Sequence, residues 1–210
     1  MIPIGLAFPI ASDGSRASAR TILEIPEDRF AIFVVGRMEY QKNHQLALRA
    51  LAAMRPEIRA NVLLCFAGSG EGESELRELS HELGVDSYVR FLGYRQNLRE
   101  LLPAADITLM TSFFEGMPLA LIEAMSAGIP IVTTPWTGSR TMLGDGRYGF
   151  ITRNYEPENV ARTIERAIEH PLARKTVAEN AQRYVEESFS IGRMIDGHVD
   201  LYRMVAGAAR

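Results

Sequence analysis

Phe30-Ala31-Ile32-Phe33-Val34-Val35-Gly36-Arg37-Met38-Glu39-Tyr40-Gln41-Lys42-Asn43 begins as an unbroken apolar run and stops at a glycine, after which the chain turns polar and charged. The run is too short for a buried helix and shows no alternation. That is the pattern of a strand covered on both faces, as in a parallel sheet. The same pattern recurs at Val62–Ala67, 88–92, Ile107–Met110, 129–133 and 148–151. Helical spacings fill the gaps: Leu76, Leu79 and Leu83; Val160, Ile164, Ala167 and Ile168; Val177, Ala181, Tyr184 and Val185. About six strand signals alternating with helices predict an α/β fold, a Rossmann-like doubly wound parallel sheet with right-handed crossovers.

The ends of the chain read differently. Residues 1–25 carry Pro3, Gly5, Pro9 and Gly14 among Ser and Asp, so they are expected to be an irregular linker. Residues 26–190 hold the alternating pattern. In residues 191–210, Ile191, Ile195, Val199, Tyr202 and Ala206 recur at steps of three and four, the apolar face of a final helix.

Bulk properties exclude several classes. The 210 residues are 47% hydrophobic and 23% charged, with a net charge of −3, enough for one sizeable core. No Lys/Arg block gives a nucleic-acid footprint. Cys65 stands alone in an apolar strand, so it is read as a reduced core thiol. No apolar stretch approaches the ~20 residues of a membrane span, and the N-terminus lacks a basic flank. The expected compartment is the cytoplasm.

A doubly wound sheet binds ligands beyond the carboxyl ends of its strands, where the strand order reverses. With the order 3-2-1-4-5-6, that crevice lies between the loops after the first and fourth strands. The first of these loops carries Arg37 and Lys42, suited to phosphate, and Asn43 as N-cap of the next helix. Two solvated surface charges are the alternative. The second is Thr111-Ser112-Phe113-Phe114-Glu115-Gly116-Met117-Pro118-Leu119. Gly116 admits close backbone approach, and Pro118 suits the first turn of a helix whose free amides attract anions. Glu115 before that helix and Glu123 about two turns inside it suit sugar diols, because one carboxylate accepts two hydroxyl bonds. Their plainer reading is a dipole-favoured charge and a surface residue.

Glu115-Gly116-Met117-Pro118-Leu119-Ala120-Leu121-Ile122-Glu123 resembles the E-x7-E motif of glycosyltransferase family 4, the "group 1" retaining enzymes of GT-B architecture. Ala124-Met125-Ser126-Ala127-Gly128-Ile129-Pro130-Ile131-Val132 is similar to the family's following segment, Gly36-Arg37-Met38 with Gln41-Lys42-Asn43 to its first loop, Ala67-Gly68-Ser69-Gly70 to its second, and Val89-Arg90-Phe91-Leu92-Gly93 to its third strand. The resemblance covers about residues 30–190. It implies that Arg37 and Lys42 bind the donor diphosphate and stabilise it as leaving group, while Glu115 contacts the donor sugar. It further implies that Gly36, Gly116, Met117, Pro118 and Leu119 border the sugar and phosphates, Glu123 holds the ribose, and Gly93 and Tyr94 lie near the base. The donor is then a nucleoside diphosphate sugar, with no metal or other cofactor.

The resemblance also implies a missing partner. Met1-Ile2-Pro3-Ile4-Gly5-Leu6 looks like the family's interdomain linker, so the chain is expected to be the C-terminal half, either excised or from a truncated frame, without its N-terminal acceptor domain. Residues 191–210 would be the helix that crosses back to that domain. In its absence the helix is expected to fray, fold back or pair with a second copy, and any membrane association belongs to the missing half. Thr141 stands where the family usually has a glutamate.

Other signals are declined. His44, His81, His170 and His198 are not at metal-ligand spacing. Gly68-Ser69-Gly70 lacks the Gly-Lys-Ser/Thr of a P-loop, and Ser112 and Ser139 have no histidine partner. Asp106 heads a strand, at the wrong end of the sheet for the crevice. The competing functions are a stand-alone nucleotide-sugar-binding or regulatory module and a sugar-nucleotide epimerase. An oxidoreductase would want Gly-x-Gly-x-x-Gly after the first strand.

Overall fold

Neighbouring residues of one strand point to opposite faces of a sheet, and here both faces are covered. The computed structural model describes residues 4–6 and 15–208. Among these, β1 (Phe30–Val35), β2 (Val62–Ala67), β3 (Val89–Gly93), β4 (Ile107–Met110), β5 (Ile131–Thr133) and β6 (Phe150–Ile151) form one parallel sheet in the order β3-β2-β1-β4-β5-β6. The order is the one the crevice argument presumed. Helices α1 (Ser15–Ile22), α2 (His44–Ala53), α3 (Pro56–Arg59), α4 (Glu73–Glu82), α5 (Leu98–Leu101), α6 (Leu119–Ser126), α7 (Ser139–Met142), α8 (Pro157–Glu169), α9 (Pro171–Ser188) and α10 (Ile191–Ala208) complete the described chain.

Ala31, Phe33, Leu63 and Cys65 enter one core with α1, α5, α6 and α9. Ile32, Val34, Val62, Leu64 and Phe66 enter the other with α2, α4 and α8. Uninterrupted apolar strands are therefore required, because either side chain of each pair is buried. The Cys65 thiol is fully buried, and burial pushes its pKa up to about 12.

Residues 15–22 correct the reading of 1–25 as irregular. They form α1, and Ala19, Leu23 and Ile25 belong to the first core. Arg20 is 1% exposed. Its guanidinium donates to the carbonyls of Ala104, Pro26 and Arg29 and to Asp106 Oδ2 at 2.7 Å. The same Oδ2 accepts from the Ala31 amide at 2.8 Å, and Oδ1 accepts from Arg16 at 2.7 Å. Asp106 thus pins α1 across the starts of β1 and β4, at the end of the sheet away from the crevice. Residues 1–3 and 7–14 of the expected linker lie outside the described residues.

Leu6 reaches Ser190 in an isolated parallel bridge, its amide donating to the Phe189 carbonyl at 2.8 Å. The Gly5 amide lies 3.2 Å from Met194 Sδ on α10. Beyond that foothold Ile191, Ile195, Val199 and Tyr202 are exposed, so most of the expected apolar face has no partner among the described residues.

The glycines after β2 have a packing role rather than a phosphate-cradling one. A Cβ on Gly68, whose φ is +154°, would lie 2.0 Å from the Gly36 carbonyl oxygen, and one on Gly70 would lie 2.7 Å from that of Met38. The loops after β1 and β2 therefore stack backbone on backbone, joined by Met38 N to Ser69 O at 3.0 Å and Gly72 N to Met38 O at 3.2 Å. Gly68→Ala is expected to destabilise the fold by roughly 3 kcal/mol or more, combining a disallowed φ with overpacking against backbone. Urea denaturation reads this directly. An unchanged midpoint would mean that the two loops do not stack as described.

Candidate functional site

The loops after β1 and β4 meet at the carboxyl ends of the strands. The Phe113 amide donates to the Gln41 carbonyl at 3.0 Å, Gln41 Nε2 to the Phe114 carbonyl at 2.8 Å, and Thr111 Oγ1 to the Lys42 carbonyl at 2.9 Å. A short turn of 3-10 helix, Tyr40–Lys42, sets the direction of the first loop, and Asn43 follows it at φ 48°, ψ 46°. Asn43 does stand at the N-cap position of α2, yet its side chain makes no capping bond. Its left-handed backbone is its contribution, and asparagine adopts that conformation more readily than most residues.

This crossing brings Lys42 and Glu115 together. Lys42 Nζ lies 2.7 Å from Glu115 Oε1, and the two side chains are 19% and 5% exposed. The Lys42 stem runs past Gly36, where a Cβ would sit 3.3 Å from its methylenes. Ser112 Oγ donates to the same Glu115 oxygen at 2.5 Å. Oε1 is thus occupied twice, while Oε2 has no hydrogen-bond partner among the described residues. Glu123 repeats the arrangement: Arg99 donates to its Oε1 through Nε at 2.8 Å and through Nη2 at 2.7 Å, and its Oε2 has no such partner. Each carboxylate of the E-x7-E segment therefore has one oxygen fixed by a protein donor and one left to accept from a ligand.

The helix between them differs in detail from expectation. Pro118 is the N-cap of α6 rather than part of its first turn. Glu123 consequently sits just over one turn inside, not two. The Pro118 carbonyl accepts from Leu121 and Ile122. The amides of Leu119 and Ala120, at the start of the helix, face no acceptor among the described residues, as expected for a helix N-terminus. Among the described residues, nothing lies within 4 Å of where a Cβ on Gly116 would be, so none of them demands glycine there and the space is open to a ligand. Met117 and Leu119 are exposed beside it.

The other expected residues are more dispersed. Arg37 is largely exposed and pairs with Glu39 at 2.7 Å rather than with the Lys42–Glu115 cluster. Gly93 has φ +68°, a conformation that favours glycine, and the following Tyr94 is exposed. Thr141 lies exposed on α7 and makes no side-chain hydrogen bond among the described residues. Two residues escaped the sequence reading. Ser112 has no histidine partner for hydrolase chemistry, and its place three residues before Glu115 is the local signal for the contact it makes instead. Arg99 meets Glu123 across 24 positions and left no signal in the sequence.

Among the described residues no helix is long and apolar enough to cross a membrane. Comparison with known proteins gives a consistent picture. The chain is 33% identical over 206 residues to a D-inositol 3-phosphate glycosyltransferase of Salinispora arenicola, covering 92% of this chain and 46% of that protein. It thus spans about half the length of the curated relatives it matches. The fold matches HepE of Anabaena, solved with UDP and glucose, at TM-score 0.83 and 26% identity, over 92% of this chain and 53% of that one. It also matches the separately solved C-terminal domain of a group 1 family protein, LpcC of Francisella tularensis, at TM-score 0.75 and 19% identity, over 88% and 96%. Residues 15–184 match the family model for glycosyl transferases group 1, and the chain belongs to that family.

Proposed function

We propose that this chain is the nucleotide-sugar-binding, C-terminal half of a retaining family 4 glycosyltransferase of GT-B architecture, with residues 4–6 belonging to the linker and α10 returning toward an acceptor domain. The observation that carries the reading is the meeting of Lys42 with Glu115 at 2.7 Å, where the loops after β1 and β4 cross. A cation for phosphate and a carboxylate for sugar hydroxyls at one point describe the junction of a nucleoside diphosphate sugar. HepE, solved with UDP and glucose, supports the same class of donor.

In this reading Lys42 turns from Glu115 to the diphosphate, joined by Arg37 and the first amides of α6. The free oxygen of Glu115 accepts from the donor sugar, and that of Glu123 from the ribose. Gly36, Gly116, Met117, Pro118 and Leu119 border the sugar and phosphates, with Gly93 and Tyr94 toward the base. During transfer the acceptor oxygen bonds the anomeric carbon as the bond to the diphosphate breaks. The electron pair leaves with the diphosphate, which also takes the acceptor's proton. Positive charge held at the departing oxygens is the main catalytic contribution of this half. Lys42, Arg37 and the helix amides supply that charge, so the reading needs no metal. A nucleotide-sugar donor and the lone Cys65 thiol both fit the cytoplasm.

The test exploits Glu123 and Arg99. Glu123→Gln and Arg99→Ala are each expected to weaken UDP binding about three- to tenfold, since each costs a hydrogen bond to ribose or its orientation. A 2′,3′-dideoxy analogue of UDP should be insensitive to both in calorimetry. If the analogue loses affinity as much as UDP does, Glu123 is not the ribose ligand and the site is misread.

A further inference from the structure

The two carboxylates of the E-x7-E segment are held in different ways. Glu123 lies within α6, and its carbonyl accepts from the Ala127 amide at 3.1 Å. Glu115 lies in the loop before that helix. Neither its amide and carbonyl nor those of Gly116 make a hydrogen bond among the described residues. A side chain on such a stretch of backbone takes its direction from its own partners. Among the described residues Glu115 has two, Lys42 and Ser112, and both bond Oε1.

Ser112 has the fixed backbone that Glu115 lacks. It is 1% exposed, and its carbonyl accepts from Thr134 Oγ1 at 2.8 Å. Thr134 is itself fully buried, with its amide donating to the Met110 carbonyl at 3.0 Å. On the other side of Ser112, the Phe113 amide donates to the Gln41 carbonyl. The Ser112 hydroxyl therefore projects from a point where the loops after β1, β4 and β5 are tied together. Lys42 differs in kind, because its charge sits on a flexible stem and is drawn to phosphate, whereas a hydroxyl carries no charge to follow. Once a diphosphate takes Lys42, Ser112 is the donor that remains on Oε1 among the described residues.

We propose that Ser112 is the positioning residue of the donor-sugar contact. Its hydroxyl anchors Oε1 of Glu115 while Lys42 serves the diphosphate, so that Oε2 stays turned to a sugar hydroxyl. This inference rests on the donor reading above, in which Glu115 meets the sugar. Without the Ser112 hydroxyl the carboxylate swings on its loop, and the orientation that the sugar needs is lost.

Calorimetry of the chain with UDP and with UDP-glucose tests this, read as the dissociation constant of UDP divided by that of UDP-glucose. Both ligands withdraw Lys42 from Glu115, so that cost cancels in the ratio and the contact with glucose remains. Ser112→Ala and Glu115→Gln should each lower the ratio at least about fivefold. Ser112→Thr, which keeps the hydroxyl, should stay within about twofold of the unsubstituted chain. In the UDP complex, the carboxyl 13C resonance of Glu115 should move in Ser112→Ala and that of Glu123 should not, a pattern that general loosening of the fold does not give. A ratio lowered by Glu115→Gln but untouched by Ser112→Ala overturns the role of Ser112 alone. So does an unmoved Glu115 resonance, or a folded threonine variant that behaves like the alanine one. A ratio that Glu115→Gln leaves unchanged defeats the sugar contact of Glu115 in the donor reading, and the role of Ser112 with it.

Discussion

Lys42→Ala is expected to weaken UDP binding by about tenfold to a hundredfold while leaving uridine nearly unaffected. A charge-assisted bond from an ammonium to phosphate is worth roughly 1.5–3 kcal/mol, and each 1.4 kcal/mol is a factor of ten. Uridine has no phosphate and loses nothing directly. Lys42 is also the only cation paired with Glu115 among the described residues, so its loss leaves a carboxylate that is 5% exposed with Ser112 as its remaining partner. The variant should therefore melt at a lower temperature as well. Calorimetry with UDP and uridine, alongside a melting curve, separates the two effects. An equal loss for uridine and UDP would show that the site has collapsed or that Lys42 does not bind phosphate.

Asp106→Ala should lower stability by about 3–5 kcal/mol, because it strands a buried charge. Arg20 is 1% exposed, and Asp106 is its close carboxylate partner at 2.7 Å; Glu27 approaches only to 3.9 Å and is itself exposed. Three backbone carbonyls still receive the guanidinium, but they carry no net charge. The Ala31 amide loses its acceptor in the same change. Arg16→Ala, in contrast, removes an exposed partner of the same carboxylate and should cost about 1 kcal/mol or less. Urea denaturation of both variants gives the comparison. Similar midpoints for the two would mean that Arg20 is not held by Asp106.

The contrast between these two residues also explains what the sequence could and could not disclose. β1 and β2 were legible because burial on both faces demands unbroken apolar runs. The crevice was legible because cations and carboxylates stand in the two loops that the strand order brings together. α1 was hidden by its own composition. Its inward side includes Ala19 and Arg20, and an arginine does not register in a hydrophobic period even when fully buried. Asp106 was correctly placed at the far end of the sheet, but its partner lies 86 residues away and only the fold selects it. Arg99 was hidden for the same reason.

The bridge between Leu6 and Ser190 has a consequence for engineering the chain. Nearly the whole described fold is one closed circuit pinched at that bridge, with α10 as an appendage outside it. A covalent tie there would confine the unfolded chain to a ring while asking little rearrangement of the native state. For a ring of this size the chain-entropy gain is about 5 kcal/mol, provided the tie is unstrained. Cutting the backbone in an exposed loop after such a tie would leave one covalently connected molecule, its two segments joined at the bridge, and the sheet and the crevice would keep their connections.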